Sequence, residues 1–558
     1  MCARVIALFA LLAAQTAQAA TIRGVVTGDV GHMPWRKGTR ELGWCTVKAY
    51  RDGILLATTR TNTKTGDFEL SLPPGDLEIV VSRPGFLTAR QAIELGHRDV
   101  ELKHHLRPDP DYGLIVAPRT GTASTAESNS DLHIECLAPP TARQWSASLA
   151  TDYFACDLRV GDASFGGKAV WNRTRPGWLL RLFVPANTPR EMYDLVVRYT
   201  DRDGRRHESR QAKAVQVLSR VPDRFRLMPY CDFHLNWLVH KRGAAGEVQA
   251  DFFKAASLLH PLFVSLGDDV GFEGDDHVAM FHHLVSQHLG VPVYLAFGNH
   301  DGALGVEGHE FYFGPRWQER RIGPRIGLIL SYDLYQANYQ MPQEQRDWVN
   351  TALARIEKNT DNRLLFLAGH LNPWKPPTPF FKLPFTKQTR TFFPGHNDGR
   401  VEVRFSRLFL HALSVGSMHG WAGLNYTGRI VEFDGWQRAT LFPQCALPSV
   451  AFDKPNNGTA SALTATIRLM GLPPEKWAPP EKLYTGGYFC DVPDEWKGLP
   501  AIPDARLRFV MPRGRYRTSA GRILQQVDGK SGKVTVVHVS VDVKQPTLRV
   551  TVSPDSIP

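Results

Sequence analysis

The spacing of apolar positions divides the chain into regions of different predicted structure. Residues 20–106 carry short runs in which apolar and polar positions alternate, with Gly, Pro and Asp turns between them. Such alternation is typical of strands with one buried face, and it predicts a β-sandwich. Residues 107–222 show further alternating segments around a Pro-containing turn and predict a second sandwich. Within this region the Ser/Thr-rich stretch RTGTASTAESNSD, residues 119–131, has the composition of a linker or mobile loop.

From residue 223 the pattern changes to apolar strands that alternate with helical segments. The predicted helices cover residues 245–260, 275–289 and 344–359, where apolar positions recur at helical spacing. The predicted strands cover residues 224–230, 261–267, 291–298, 326–333 and 363–369. This alternation predicts βαβ units in a layered α/β domain over residues 223–425. Turn-rich sequence with further strand patterns predicts a C-terminal β-rich domain over residues 426–558.

The first nineteen residues have the pattern of a secretory signal peptide. Arg4 is followed by an apolar run over residues 5–14 and by Ala-Gln-Ala at 17–19, which predicts cleavage after Ala19. The apolar run is shorter than the roughly twenty residues that a spanning helix needs, and no later segment reaches that length. We therefore expect an exported protein, periplasmic or extracellular, without a transmembrane segment.

Composition narrows the choice of partners only slightly. The chain is 43% hydrophobic and 22% charged, which is ordinary for a globular protein and argues against disorder. The formal charge of +11 favours anionic partners, but the basic residues are scattered and give no specific nucleic-acid signal. Six cysteines follow the predicted signal peptide without CxxC spacing, which argues against a thiolate zinc site. Two disulfides are proposed within predicted domains, Cys136 with Cys156 and Cys445 with Cys490.

Metal-binding side chains follow five of the apolar runs in residues 223–425. One such residue is more often a cap or a turn, but five strand ends can converge at the edge where α/β sheets bind their ligands. Oxygen and imidazole ligands without thiolate suit Mn, Fe, Zn or Co. The candidates are Asp232 and His234 in CDFHL, Asp268 in LGDD, Asn299, His300 and Asp301 in FGNHD, His370 in AGH, and His419 in GSMHG.

The motifs DxH, GD, GNHD and GH, in this order, resemble those of the calcineurin-like metallophosphoesterase family over about residues 225–425. The resemblance implies a core of two packed β-sheets flanked by helices, with a two-metal centre between loops at one edge. Secreted bacterial members are similar in having a β-sandwich before this core and a β-rich domain after it. Residues 61–86 also resemble carboxypeptidase-regulatory-like and Cna-B-like domains, and the second sandwich is expected to be Ig-like.

The same resemblance implies a role for each candidate. One metal would be held by Asp232, His234 and His419, the other by Asn299 and His370, and Asp268 would bridge the two. His300 would contact the phosphate and assist the leaving oxygen, with Asp301 orienting its ring. A hydroxide activated by two divalent ions would attack phosphorus without a protein nucleophile.

The chain departs from the family pattern at the last motif. The family usually closes with GHxH, whereas this chain has Ser417 at the position of a metal-binding histidine. A hydroxyl is a poor replacement for imidazole, so the second metal would bind weakly, keep an extra water or be absent. His396 in PGHNDG is an alternative ligand, although a turn residue is the simpler interpretation. His282, His283 and His288 on a predicted helix are interpreted as surface or interface residues.

Two functions follow from these patterns. The first is an exported metal-dependent phosphoesterase that hydrolyses phosphate mono- or diesters. A nucleotide, a phospholipid and an envelope polymer would each present the same phosphoryl group, and residues 371–400, which are aromatic, Pro-rich and basic, are expected to border the site. The second is a cell-envelope binding protein with a degenerate, weakly catalytic metal centre, suggested by Ser417 and the adaptor-like sandwiches.

Overall fold

The computed structural model describes residues 19–31, 38–167, 176–228, 247–262, 275–298, 301, 305–331, 343–358, 363–369, 391–394, 403–405, 410–412, 430–434, 437–442, 448–469, 482–485, 488–491 and 502–555. The chain divides into two compact units, Met1–Asp109 and Pro110–Pro558. The described residues are rich in strands and contain four helices. The chain is therefore strand-rich and has more than one folded unit.

The first unit contains two four-stranded sheets. In one sheet β1 pairs with β2, β5 and, in parallel, β8; the other has the order β4-β3-β6-β7. Alternate residues are buried along β5, where Phe68, Leu70 and Leu72 face the core. The strands are β1 (Ala20–Asp29), β2 (Thr39–Glu41), β3 (Thr46–Arg51), β4 (Ile54–Arg60), β5 (Asp67–Leu72), β6 (Gly75–Ser82), β7 (Ala89–Leu95) and β8 (Val100–Leu106).

The second unit begins with an eight-stranded sheet in the order β10-β16-β15-β12-β13-β14-β11-β9. These strands are β9 (Ile115–Ala117), β10 (Ser124–Glu127), β11 (Ser130–Cys136), β12 (Arg143–Ala150), β13 (Ala155–Gly167), β14 (Gly177–Val184), β15 (Met192–Thr200) and β16 (Arg206–Leu218).

The imidazole of His207, on β16, joins two acidic side chains of this region. Its Nδ1 lies 3.0 Å from Asp111 Oδ1 and its Nε2 lies 3.2 Å from Asp201 Oδ2. Tyr199 stacks on the ring with 4.6 Å between centroids. Burial alone would lower the pKa of His207, but the two carboxylates outweigh burial and raise that pKa. The folded chain therefore binds the proton of His207 more tightly than the unfolded chain does.

The central part of the second unit contains all four described helices and two further sheets. The helices are α1 (Glu247–Leu259), α2 (Asp275–His288), α3 (Gly305–Phe313) and α4 (Gln343–Lys358). The strands are β17 (Arg224–Leu227), β18 (Gln318–Ile322), β19 (Arg325–Leu330), β20 (Arg363–Gly369), β21 (Thr391–Pro394), β22 (Val403–Phe405), β23 (Leu410–Ala412), β24 (Ile430–Asp434) and β25 (Gln437–Phe442).

These strands form a six-stranded sheet, β18-β19-β20-β21-β23-β22, and a three-stranded sheet, β17-β24-β25. Neighbouring strands run parallel from β19 through β20 and β21 to β23. Helix α4 connects the parallel strands β19 and β20 and packs on β20, which makes a βαβ unit. The acidic residues Asp275 and Asp276 begin α2, and Arg355 and Lys358 end α4, as the helix dipole favours.

The C-terminal part is built from three small antiparallel sheets. Their orders are β26-β27-β34-β31, β30-β33-β32 and β28-β29. The strands are β26 (Ser449–Phe452), β27 (Leu463–Arg468), β28 (Lys482–Thr485), β29 (Tyr488–Asp491), β30 (Ile502–Pro512), β31 (Tyr516–Thr518), β32 (Arg522–Asp528), β33 (Val534–Val543) and β34 (Thr547–Pro554). Helix α1 packs against β30 and β26, so this part contacts one of the central helices.

A buried ion cluster joins the C-terminal strands to the eight-stranded sheet. Arg508 Nε, on β30, donates to Glu191 Oε1 at 2.6 Å, and His538 Nε2, on β33, lies 3.1 Å from the same oxygen. The Glu191 side chain is only 8% exposed. Burial would raise the pKa of Glu191, but the attraction of Arg508 and His538 outweighs burial, and the pKa falls to about 2.

One hydrophobic cluster contains residues from the eight-stranded sheet and from the central strands. Met192, Leu218 and Val221 precede residue 223, and they pack in the same cluster as Phe225 and Ile329. Residues on both sides of the predicted domain boundary at 222/223 therefore belong to one hydrophobic cluster.

The expectations for residues 119–131, for Cys136 with Cys156 and for residues 291–298 are wrong. Residues 119–131 are not a linker, because Arg119, Thr120 and Thr122 are buried and β10 and part of β11 lie in this stretch. Cys136 and Cys156 are free thiols and not a disulfide, and the Cys156 thiol lies 3.3 Å from the Thr188 hydroxyl. Cys445 lies outside the described residues, so its proposed pairing stays a prediction.

The third correction concerns residues 291–298, which were predicted as a strand. This segment is buried, but it forms only an isolated β-bridge, between Tyr294 and Thr122. Within the described chain, its backbone pairs with residues 121–123. This pairing is too short to make residues 291–298 a strand of a sheet.

Candidate functional site

Of the proposed site residues, the structure describes Asp301. Its side chain is buried, with 3% exposure, and its Oδ2 accepts a hydrogen bond from the backbone N–H of Gly298 at 3.0 Å. The carboxylate is thereby fixed to the end of the buried segment 291–298. The other candidates lie outside the described residues: Asp232, His234, Asp268, Asn299, His300, His370 and His419, together with Ser417, His396 and the Pro-rich part of residues 371–400 before β21.

The segment that leads to Gly-Asn-His-Asp is held by a loop from the eight-stranded sheet. The backbone N–H of Leu295 donates to Gly121 O at 2.9 Å, and that of Ala123 donates to Val293 O at 3.4 Å. We call residues 115–123, which comprise β9 and the turn that follows it, the brace loop. Residues 119–123, which were expected to belong to a linker or mobile loop, therefore hold the segment before this motif by backbone hydrogen bonds.

Helix α3 follows the motif and contributes a histidine that sequence reasoning missed. His309 is 1% exposed and packs edge-on against Phe297, with 4.9 Å between ring centroids. Burial lowers the pKa of His309 to about 4, with Arg316 lowering it further and the nearby Asp301 carboxylate opposing the shift. The ring is therefore neutral at neutral pH, and neither ring nitrogen has a hydrogen-bond partner among the described residues. The sequence GVEGHEF around His309 contains no motif that would have identified this histidine as part of the site.

His282 and His283 of α2 are buried and His288 is half-buried, whereas the sequence predicted surface or interface residues at these positions. His282 and His283 are 6% and 8% exposed. His282 stacks on Phe313 of α3 at 5.5 Å between centroids. Burial, with a contribution from Arg119, lowers the pKa of His282 to about 3. The His282 ring therefore belongs to the core between α2 and α3.

The parallel strands bring chain positions that precede candidate ligands to one edge of the six-stranded sheet. Leu330 pairs with Gly369, and Gly369 pairs with Pro394, so β19, β20 and β21 end side by side. In the sequence His370 directly follows Gly369, and His396 follows Pro394 by two residues. Carboxyl ends of parallel strands at one edge are where α/β sheets bind ligands.

Four chain segments that lead to candidate ligands also share the hydrophobic cluster described above. Leu227 precedes the Asp232 motif, Leu262 the Asp268 motif, Ala296 the Asn299 motif and Ala368 the His370 motif. All four side chains are buried in that cluster.

Metal binding itself falls outside what the structure describes. Within the described ranges no group of three or more His, Cys, Asp or Glu side chains could hold a metal ion. The six proposed ligands all lie in the gaps between those ranges. None of the helices that the structure describes has the length and apolar character needed to span a bilayer.

Comparison with known proteins gives weak likenesses. No protein-family model and no curated protein matches the chain. A purple acid phosphatase from yellow lupin (Lupinus luteus) seeds matches with 13% identity and a TM-score of 0.31 over 80% of this chain and 94% of that chain. The major pilin subunit of Bacillus cereus matches with 10% identity and a TM-score of 0.15 over 38% and 72% of the two chains. A DUF3823 family protein from Parabacteroides merdae matches with 13% identity and a TM-score of 0.14 over 35% and 99%. All three TM-scores are below 0.5, so these likenesses do not assign the chain to a family.

Proposed function

We propose that this protein is an exported, metal-dependent phosphoesterase that hydrolyses phosphate mono- or diesters. The observation that carries the proposal is the shared cluster of Leu227, Leu262, Ala296 and Ala368. Four segments that are distant in sequence pack together just before Asp232, Asp268, Asn299 and His370. A common core limits how far apart their following residues can lie, because each segment leaves the same buried centre.

The buried carboxylate of Asp301 supports the same function. The backbone N–H of Gly298 donates to it and so holds it at the end of segment 291–298. A carboxylate in this position would orient the ring of His300, so that its other nitrogen donates a proton to the leaving oxygen.

The metal ligands are proposed as the sequence motifs imply. Two divalent cations, Mn, Fe, Zn or Co, would supply a nucleophile at neutral pH and neutralise charge on the phosphoryl oxygens. Asp268 would contribute to both sites, Asp232, His234 and His419 to one, and Asn299 and His370 to the other. Because Ser417 replaces an expected imidazole, one site would be the weaker.

The test is hydrolysis of bis-p-nitrophenyl phosphate and p-nitrophenyl phosphate with added Mn²⁺, by the native protein and by Asp268→Asn. We expect the variant to lose about 100-fold or more in rate, because a ligand to both cations is removed. Glu208→Gln, at an exposed ion pair far from these motifs in sequence, is the control and should keep the native rate.

Equal rates for the native protein and Asp268→Asn would contradict the proposal. Elemental analysis of the purified protein separates the second candidate, a cell-envelope binding protein with a degenerate metal centre. Two equivalents of metal favour the enzyme; one equivalent or none, together with absent hydrolysis, favours the binding protein, which Ser417 suggests.

A further inference from the structure

The side chain of Arg119, in the brace loop, reaches the end of helix α3. Its Nη1 donates to Glu310 O at 3.1 Å and to Phe311 O, both in the last turn of the helix. Its remaining donors bind carbonyls of its own region, Nη2 to Tyr112 O at 2.9 Å and Nε to Ile115 O. One guanidinium therefore joins the eight-stranded sheet to α3.

The charge of Arg119 is compensated by backbone and not by a carboxylate. The residue is 1% exposed, and no acidic side chain in the described ranges pairs with it. Glu310 O also accepts the backbone N–H of Gly314 at 3.1 Å, and the last carbonyls of a helix carry partial negative charge, which suits a buried cation. Burial lowers the pKa of Arg119 to about 10, so the side chain remains charged at neutral pH.

The backbone of the brace loop packs closely against the C-terminal end of α3. A Cβ at Gly121 would lie 2.8 Å from Phe313 Cβ and 3.0 Å from Leu295 Cδ1. Gly314, which follows α3 with φ of +88°, has Val116 O at 2.8 Å from the position of a Cβ. Close packing on both sides leaves α3 no room to shift relative to the loop.

The brace loop thus holds both flanks of the Gly-Asn-His-Asp motif. Its backbone pairs with residues 293–295 before the motif, and Arg119 binds the helix after it. His309 of α3 packs on Phe297, which precedes the motif, and α3 begins at Gly305, four residues after Asp301. A displacement of α3 would therefore reach the Asp301 carboxylate.

We propose that Arg119 is a positioning residue for Asp301: it fixes α3 against the brace loop and so sets the distance between the two described flanks of the Gly-Asn-His-Asp motif. The role rests on the proposed phosphoesterase function. It also assigns the eight-stranded sheet a part in catalysis, because the positioning group comes from that sheet and not from the central strands.

The decisive variant is Arg119→Met, which keeps much of the length and removes every donor. We expect kcat for bis-p-nitrophenyl phosphate with Mn²⁺ to fall about 10- to 100-fold, since a displacement of about 1 Å can cost this much. KM should change by less than about threefold, because substrate contacts outside the motif remain.

Arg508→Met is the matched control. Arg508 is also an arginine that links the eight-stranded sheet to another part of the unit, but it binds Glu191 and not α3. The variant Arg508→Met should lower the melting temperature at least as much as Arg119→Met does, and its kcat should stay within about twofold of the native value. Gly121→Ala is the second variant: it presses on Phe313 and Leu295 without removing a hydrogen bond, and it should lower kcat in the same direction.

Hydrogen–deuterium exchange of the metal-free protein gives a readout that does not depend on activity. Amides of residues 293–298 and 305–314 should exchange faster in Arg119→Met and Gly121→Ala, and at the native rate in Arg508→Met. If Arg119→Met does not fold, the kcat and the exchange rates of Gly121→Ala test the positioning role instead.

Two failures can be told apart. A native protein with no hydrolysis contradicts the proposed function, while the exchange experiment still reports whether the loop holds the motif. An active native protein in which Arg119→Met and Arg508→Met lose kcat equally, or in which exchange at 293–314 is unchanged, overturns the positioning role.

Discussion

Replacement of Glu191 by Gln tests the buried ion cluster between the eight-stranded sheet and the C-terminal strands. The substitution keeps the shape of the side chain and removes the negative charge that Arg508 and His538 face at 2.6 and 3.1 Å. Arg508 would then lie at the junction without a counter-charge at this position. The perturbation is therefore electrostatic and not a change in packing.

The expected loss follows from burial. Removing one partner of a buried ion pair costs roughly 3–5 kcal/mol, because the other charge stays desolvated. Glu191 is 8% exposed, but Arg508 is 34% exposed and can regain some water. We therefore expect the lower end, about 3 kcal/mol in the free energy of unfolding at pH 7.

The pH dependence gives an independent check. The folded-state pKa of Glu191, about 2, lies below the ordinary carboxyl value of roughly 4.3. The unfolded chain therefore binds this proton at higher pH than the folded chain does. The stabilisation is complete above the ordinary pKa and is lost as pH falls through the folded value, so the deficit of Glu191→Gln should shrink between about pH 4.5 and 2.

Urea unfolding followed by circular dichroism at pH 7 and pH 3 measures both effects. Glu208→Gln is the matched control, since Arg198 Nε donates to Glu208 Oε2 at the same 2.6 Å while the two side chains are 44% and 55% exposed. That exposed pair should contribute less than about 1 kcal/mol. Equal losses for the two variants, or a deficit of Glu191→Gln that grows toward pH 3, would refute the reasoning.

Three further predictions concern other described residues. His207→Gln should lower the melting temperature more at pH 6 than at pH 9. The folded-state pKa of His207 is raised, so its stabilisation is complete below the ordinary value near 6.5 and is lost as pH rises through the folded pKa. An equal loss at the two pH values would contradict this. Gly521→Ala should cost roughly 1–3 kcal/mol in urea unfolding, since φ is +73° and a Cβ meets the carbonyl of the neighbouring strand, whereas Gly532→Ala at φ +65° in open space should cost less. Iodoacetamide at pH 8 should label Cys156 in the folded protein and leave Cys136 unlabelled, because burial raises the Cys136 pKa; mass spectrometry that finds both labelled would oppose this.

Local periodicity was sufficient for the helices of the central region. The segments predicted at 245–260, 275–289 and 344–359 correspond to α1, α2 and α4, and the βαβ pattern appears as β19, α4 and β20. These elements have apolar positions at helical or strand spacing within a short window, so their structure is specified by neighbours in sequence.

Interactions between distant residues explain what the sequence did not reveal. Arg119 binds carbonyls at Glu310 and Phe311, and nothing near Arg119 in the Ser/Thr-rich stretch indicates those partners. His282 was expected at the surface or at an interface, and it is buried against Phe313 of α3. Of the candidate site, Asp301 is buried, and its orienting role and the proposed metal ligands remain predictions from sequence.

The shared cluster on both sides of residue 222 has a practical consequence for dissecting this protein. A fragment that starts at residue 223 would expose Phe225 and Ile329 where Met192 and Leu218 now cover them, and it would lack the brace loop as well. Such a fragment should aggregate on expression, whereas truncation before Pro110 leaves this cluster intact.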